Sequence, residues 1–223
     1  DLDTAFRGYE DLDESVRGLD RFGEQAHDII SSPTTRKAFD LSLEKPTEAT
    51  RFGRHEFGQS LLLASRLIEA GVHFVTVRLR PAEFDFDTHT DNFSRLSNLL
   101  PPFDKGLASL IDRLKERDLF SSTSIMVAGE FGRTPKINNQ GGRDHWARAM
   151  FALMAGGDVR GGQAIGKTDK LAGEPEGTGY SPEDIAASFF QNIGISPQKE
   201  FQTNVGRPIN LVRDGQPIKQ LFS

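Results

Sequence analysis

The stretch HEFGQSLLLASRLIEAGVHFVTVRL, residues 55–79, decides the fold class. Its first part, 55–70, has apolar residues spaced three and four apart, which predicts an amphipathic helix. Gly71 is a typical helix C-terminal cap, and the alternating, β-branched segment 72–79 predicts a strand. Because a helix, a glycine and a strand form half of an α/β repeat, the stretch predicts an α/β protein.

The same order of elements recurs along the chain. The prolines at 101–102 are predicted to precede a helix, and the apolar run 123–128 has the length of a buried parallel strand. The apolar run 149–155 fits a strand or a helix by its pattern, and its length favours a strand. A serine followed by proline predicts a helix over 181–192.

The N-terminal part of the chain has a different pattern. Residues 1–30 are highly charged, with apolar positions at helical spacing, and a second helix is predicted over 32–41. A loop is predicted over 45–54. We therefore divide the chain into an N-terminal helical segment, 1–54, and the C-terminal part of an α/β domain, 55–223.

Composition excludes several classes of protein and site. The chain has 223 residues, a formal net charge of −5 and no cysteine, so disulfides, thiolate metal sites and a cysteine nucleophile are excluded. An acidic chain is not expected to bind nucleic acid. No apolar run approaches the roughly 18 residues of a membrane helix. Because the chain begins at Asp1 without a signal peptide, we expect a fragment or a processed product.

Three short segments are dense in side chains that bind metals or anions: 87–89 (DTH), 129–135 (GEFGRTP) and 142–146 (GRDHW). The first two follow predicted strands, and the third lies beside one. Ligands bind beyond the carboxyl ends of strands in open α/β sheets. We therefore expect the three segments to meet at one edge of the sheet.

Asp87 and His89 are two residues apart, so in an extended segment their side chains point to the same side. They could share one cation, although a surface salt bridge explains this pair of residues equally well. Glu130 could serve as a metal ligand or a base, and the planar fork of Arg133 suits a tetrahedral oxyanion. The alternative for these two residues is a turn with an internal ion pair.

Asp144 and His145 could both bind a metal, or Asp144 could orient the histidine. The alternative is that Trp146 anchors the core and His145 satisfies a buried group. Together the segments offer oxygen and nitrogen ligands without sulfur. This set predicts a divalent metal, with zinc or manganese favoured over magnesium or calcium. The predicted metal ligands are Asp87, His89, Glu130, Asp144 and His145.

The segments DTHTDNF, GEFGRTPKIN and GRDHW resemble the domain-of-unknown-function family numbered fifteen-oh-one, which is classed with alkaline phosphatases and sulfatases. The resemblance covers essentially the whole chain. It implies a three-layer sandwich with a mostly parallel central sheet. Members are usually about twice this length and exported. The resemblance therefore implies that the N-terminal half is missing and that the protein is exported or periplasmic.

The resemblance also implies roles for individual residues. Asp87 and His89 would bind a first metal, Glu130 would occupy the second-metal position, and His145 would return to the first metal. Phe131 stands where the superfamily usually has a histidine. We expect catalytic roles for Arg133 and Glu130, and substrate contacts for Arg143 and Asn92.

These observations favour a metal-dependent hydrolase of phosphate or sulfate monoesters that acts on a small-molecule or glycan ester. The alternative is a non-catalytic, degenerate relative that serves as a binding or assembly module. A third reading is a mutase or phosphoryl transferase, because that chemistry also occurs in the superfamily.

Overall fold

Five α-helices and six short strands make up the part of the chain that the computed structural model describes, namely residues 23–24, 32–78, 85–177, 179–203 and 205–223. The helices are α1 (Pro33–Phe39), α2 (Pro46–Phe52), α3 (Glu56–Glu69), α4 (Asn92–Glu116) and α5 (Pro182–Asn192). The strands are β1 (Ile125–Ala128), β2 (Gly132–Arg133), β3 (His145–Trp146), β4 (Ala152–Ala155), β5 (Glu200–Gln202) and β6 (Pro208–Asn210). Single 3₁₀ turns cover Leu41–Leu43, Phe120–Ser122 and Lys219–Leu221.

Three of the predicted helices, α1, α3 and α5, are confirmed, and each begins with a side-chain cap. Ser32 accepts a hydrogen bond from an amide in the first turn of α1. His55 does the same for α3, where its Nδ1 lies 3.1 Å from the amide nitrogen of Gly58. At α5, Ser181 and Asp184 exchange hydrogen bonds in a capping box. Such caps satisfy amides that have no partner within the helix.

Two other predictions about helices are wrong. The segment 45–54, predicted as a loop, contains α2, which begins at Pro46 and places the fully buried Phe52 in the core. Proline fits the first turn of a helix because its missing N–H has no partner there. The helix predicted to follow 101–102 begins earlier, at Asn92, and runs through both prolines. The predicted helix in 1–30 lies almost wholly outside the described residues.

The hydrophobic core lies where α2, α3 and α4 meet. Phe57 stacks on Phe103 with the ring centroids 5.6 Å apart, and α1 packs on the far part of α3. Side chains buried at this meeting point give the helices most of their stability, since short helices are marginal in isolation. The buried members of this core are Phe52, Phe57, Leu61, Leu62, Leu110 and Leu114.

A buried ion cluster ties the same helices together. The side chain of Arg113 in α4 is 2% exposed. It donates hydrogen bonds to Glu44, to Glu48 in α2 and to Glu69 in α3. Burial opposes the charge of Arg113, but its hydrogen bonds with Glu44 and Glu69 raise the pKa of the guanidinium further above its ordinary value. The cluster fixes the relative positions of α2, α3 and α4.

The predicted three-layer sandwich with a parallel central sheet is wrong. The described residues form three separate two-stranded sheets, β1–β4, β2–β3 and β5–β6, and each pair is antiparallel. A parallel pair needs a long crossover, usually a helix. The connection from β1 to β4 contains only loops and the pair β2–β3, so the chain turns back antiparallel. The protein remains a mixed α and β structure.

The strand predicted over 72–79 is also wrong within the described residues. The segment 72–78 has no strand assignment and its residues are exposed or intermediate in burial, with Phe74 70% exposed. An alternating pattern marks a segment suited to a sheet, but a strand also needs a partner for its backbone groups. Among the described helices, none has both the length and the apolar character needed to cross a membrane.

Candidate metal centre

Backbone hydrogen bonds bring the three polar segments together, although not at the edge of a parallel sheet. The pair β2–β3 sets Arg133 opposite His145. The amide of Arg143 donates to the carbonyl of Thr88, 2.9 Å away, which joins the third segment to the first. Three segments that are distant in sequence therefore build one polar surface.

Asp87, His89 and His145 are the group of described residues whose ligand atoms could hold one metal ion, and these atoms lie within 4.8 Å of one another. The Nε2 of His89 is 3.0 Å from Asp87 Oδ1 and 3.1 Å from Nε2 of His145. The Nε2 of His145 is 3.1 Å from the same carboxylate oxygen. Ligands that are each about 2.1 Å from one ion lie roughly 3.0 to 3.4 Å apart. The group therefore fits a divalent ion.

Asp144 orients His89 from behind. Its Oδ1 lies 3.0 Å from Nδ1 of His89. Because an ionised carboxylate only accepts hydrogen bonds, Nδ1 carries the proton, and a neutral His89 turns the lone pair of Nε2 towards Asp87. Nε2 of a neutral His89 and Oδ1 of Asp87 would then both be acceptors, and at 3.0 Å they need a second proton or a cation between them. The structure thus gives Asp144 the orienting position, which was one of the two readings of this residue.

Asn138, which the sequence analysis did not single out, organises this corner. Its Nδ2 donates to the backbone carbonyl of His89 and to Oδ1 of Asp144, at 3.0 and 3.1 Å. Its Oδ1 accepts from the amides of Gln140 and Gly142. One side chain thereby holds both the histidine and its orienting partner. The available signal was an asparagine shortly before Gly141-Gly142, since such residues are typical of tight turns.

Arg133 lies directly against the metal-binding group. Its Nη2 donates to Oδ1 of Asp87, and its Nη1 lies 3.5 Å from Nε2 of His89 and 3.3 Å from the carbonyl of Arg143. The side chain of Arg133 is 22% exposed. A guanidinium and three potential metal ligands therefore lie together at a solvent-exposed surface.

These contacts lower the pKa of two carboxyl groups. The hydrogen bond from Arg133 lowers the pKa of Asp87, with a further contribution from His145. The hydrogen bonds from His89 and Asn138 lower the pKa of Asp144. Both residues are therefore carboxylates at neutral pH, which is the form that binds a cation.

Comparison with known protein families identifies the family of this chain. A protein-family model described as "Protein of unknown function (DUF1501)" matches residues 1–222. The chain belongs to this DUF1501 family. No curated protein and no solved structure matches the chain.

The other predicted site residues of this DUF1501 chain, Glu130, Asn92 and Arg143, are not part of the metal-binding group. Glu130 is exposed and is not among the three residues that could share an ion. Asn92 is 2% exposed and accepts a hydrogen bond from the hydroxyl of Thr88, so its side chain faces the interior. Arg143 donates to the carbonyls of Thr134 and Pro135 and thus supports the loop.

Phe131 covers one side of the group. Its ring centroid is 4.3 Å from that of His145. An apolar ring in this position restricts the orientation of the imidazole and excludes water from one face. Trp146, the next residue, donates from its indole nitrogen to the carbonyl of Gly173, 2.7 Å away. This hydrogen bond anchors the segment around Gly173 beside β3.

Proposed function

We propose that this protein is a metal-dependent hydrolase of phosphate or sulfate monoesters. The observation that carries the proposal is the convergence of Asp87, His89 and His145 beside the guanidinium of Arg133. Histidine and carboxylate ligands suit zinc or manganese, and an arginine fork suits a tetrahedral oxyanion. A bound divalent ion would act as a Lewis acid towards an ester oxygen.

Each residue of the site would have a distinct role in metal binding or in the reaction. Asp87, His89 and His145 would hold the ion, and Asp144 would keep His89 in the tautomer that presents Nε2. Arg133 would bind and orient the non-bridging oxygens of the ester. Glu130, which is exposed, would exchange protons with water or the leaving group, and Arg143 would help to position the substrate through the loop that it supports.

The wider kinship with alkaline phosphatases and sulfatases is part of this proposal, and so is an exported or periplasmic location. Both rest on the likeness of the motifs DTHTDNF, GEFGRTPKIN and GRDHW. The substrate class, a small-molecule or glycan ester, rests on the same likeness. Separation of the native cells into periplasmic and cytoplasmic fractions tests the location directly.

Metal content tests whether the three ligands bind an ion. The chain is stripped with a chelator, dialysed against zinc or manganese and then against metal-free buffer, and its metal is measured by elemental analysis. We expect about one equivalent, lost in His89→Ala and His145→Ala, since each variant removes one of three ligands. His73→Ala is the matched control because His73 is an exposed histidine outside the group. Full occupancy in both site variants would overturn the ligand assignment.

Turnover tests the second step. The loaded protein is incubated with p-nitrophenyl phosphate and with p-nitrophenyl sulfate, and p-nitrophenol release is followed. We expect p-nitrophenol release only when the metal is bound, and we expect it to be lost in His145→Ala. The control His73→Ala should be as active as the wild type. The preferred ester separates phosphate from sulfate chemistry.

A second candidate function is a non-catalytic binding module, and the positions of two hydroxyls favour it. Thr88 is 1% exposed and donates to Asn92. The hydroxyl of Thr134 donates to the carbonyl of Lys136 and accepts from the amide of Asp144. Both hydroxyls have structural partners, so neither is positioned as a nucleophile. Tight metal binding without turnover of either ester would support this candidate.

A further inference from the structure

One carboxylate oxygen, Oδ1 of Asp87, belongs to the candidate metal site and also accepts a hydrogen bond from an arginine. Oδ1 of Asp87 lies 3.0 Å from Nε2 of His89 and 3.1 Å from Nε2 of His145. The same atom accepts the hydrogen bond from Nη2 of Arg133. The ligand that a metal would need is therefore already bound by a guanidinium.

We propose that Arg133 and a divalent ion compete for Asp87, so that metal binding displaces the guanidinium and frees it to bind an oxyanion. This inference rests on the metal site of the proposed function and adds an order of binding to it. The metal binds first, and the anion follows.

The competition follows from charge and from the number of lone pairs. One carboxylate oxygen has two lone pairs, and Oδ1 of Asp87 already has three neighbours. An ion among these ligands would stand within a few ångströms of the guanidinium, where like charges repel strongly. Arginine does not lose its proton in proteins, so the repulsion is relieved only by movement of the side chain.

Arg133 has the freedom to move. Its remaining hydrogen bond, from Nη1 to the carbonyl of Arg143, is long at 3.3 Å, and the contact of Nη1 with His89 is longer still at 3.5 Å. Its side chain is partly exposed. Displacement therefore breaks one strong contact, the ion pair with Asp87, and directs the fork of Arg133 towards solvent.

A bound oxyanion would offset the repulsion between the metal ion and the guanidinium. A tetrahedral anion placed between the ion and the displaced guanidinium would be attracted by both cations. The metal and the anion should therefore strengthen each other's binding, and by linkage the factor is the same in both directions. If the ion pair between Arg133 and Asp87 were purely structural, loss of the arginine would only disorder the metal ligands. Metal binding would then become weaker, not tighter.

The test is calorimetric titration of the chelator-stripped full chain with Mn²⁺ alone. We expect Arg133→Gln to bind Mn²⁺ about tenfold more tightly than the wild type, since the competing charge is gone. Arg148→Gln is the matched control: it removes the same charge from the nearby, exposed ion pair with Glu174 and should change the affinity much less. Circular dichroism verifies that each variant is folded.

A second titration adds an oxyanion. Inorganic sulfate, present at a fixed concentration, should tighten Mn²⁺ binding to the wild type several-fold, and this gain should disappear in Arg133→Gln. If the wild type binds Mn²⁺ but Arg133→Gln binds it no more tightly and sulfate has no effect, the competition is overturned while the metal site stands. If the folded wild type binds no Mn²⁺ and no Zn²⁺, the metal site itself is overturned, and the competition with it.

Discussion

At the scale of single residues, Gly142 determines how closely two segments of the site approach. A Cβ added at this position would overlap the carbonyl carbon and oxygen of His89. We expect Gly142→Ala to displace the backbone of His89, to weaken metal binding at least tenfold and to lower the free energy of unfolding by about 1–3 kcal/mol. Metal titration and urea unfolding measure the two effects.

Gly129→Ala provides the matched control, because a Cβ there would meet only the carbonyl oxygen of Phe131, at an ordinary 3.8 Å. This variant should bind metal like the wild type. Equal metal affinities for Gly142→Ala and Gly129→Ala would show that the close approach of Gly142 to His89 does not position the ligand.

Residue chemistry made part of the site predictable. Asp87, His89 and His145 were chosen as ligand types in suitable local patterns, and the structure brings their side chains together. Glu130 was chosen on the same grounds, but its place depends on where the chain leaves β1, which a local pattern does not specify. Asn138 was missed because its four hydrogen bonds become visible only once the segments have converged.

At the scale of elements, the buried Arg113 holds three helices through carboxylates. Arg113→Ala removes the cation that Glu44 and Glu69 share, while Arg66 still pairs with Glu44. Breaking such a buried cluster should cost up to about 3–5 kcal/mol of stability. Urea unfolding should show this loss. Arg148→Ala, which breaks an exposed ion pair, should cost no more than about 1 kcal/mol. Similar losses in the two variants would mean that burial adds nothing to the cluster.

The same cluster predicts a pH dependence of stability. The hydrogen bond from Arg113 lowers the pKa of Glu44 below its ordinary value, against the effect of burial. The contribution of Glu44 is therefore full above about pH 4.5 and is lost as the pH falls through the lowered pKa. Glu44→Gln removes this titration and should flatten the decline by up to about 1.4 kcal/mol per pH unit.

Urea unfolding at several pH values between roughly 3 and 6 measures the decline. Glu200→Gln is the control, because Glu200 is exposed and lies outside the cluster. A curve for Glu44→Gln that runs parallel to those of the wild type and of Glu200→Gln would contradict the assignment.

Helices were more predictable than strands because their signals are local. The caps at His55 and Ser181 and the periodic apolar residues of α3 and α5 lie within one stretch of chain. A strand is defined by its partner, and the run 123–128 carries no sign that β1 pairs with β4 rather than with a parallel neighbour. The segment 72–79 had the right local pattern, but its described part has no strand partner.

At the scale of the whole molecule, metal binding should stabilise the fold. The ligands at 87–89 and at 145 are separated in sequence by α4 and β1, so they are held together only when the chain is folded. An ion that binds the folded state alone raises the free energy of unfolding. At a metal concentration of 100 times Kd the gain is about 2.7 kcal/mol. For a chain of this size that corresponds to a rise in Tm of roughly 5–10 °C.

Differential scanning calorimetry with and without zinc measures this rise. His145→Ala should lose it, whereas His73→Ala should keep it, because His73 is exposed and outside the group. Zinc that binds the histidines of the unfolded chain reduces the gain, and it does so slightly less in His73→Ala, whose unfolded chain has one histidine fewer. An unchanged Tm in the wild type at saturating zinc would mean that Asp87, His89 and His145 do not form a metal site in the folded protein.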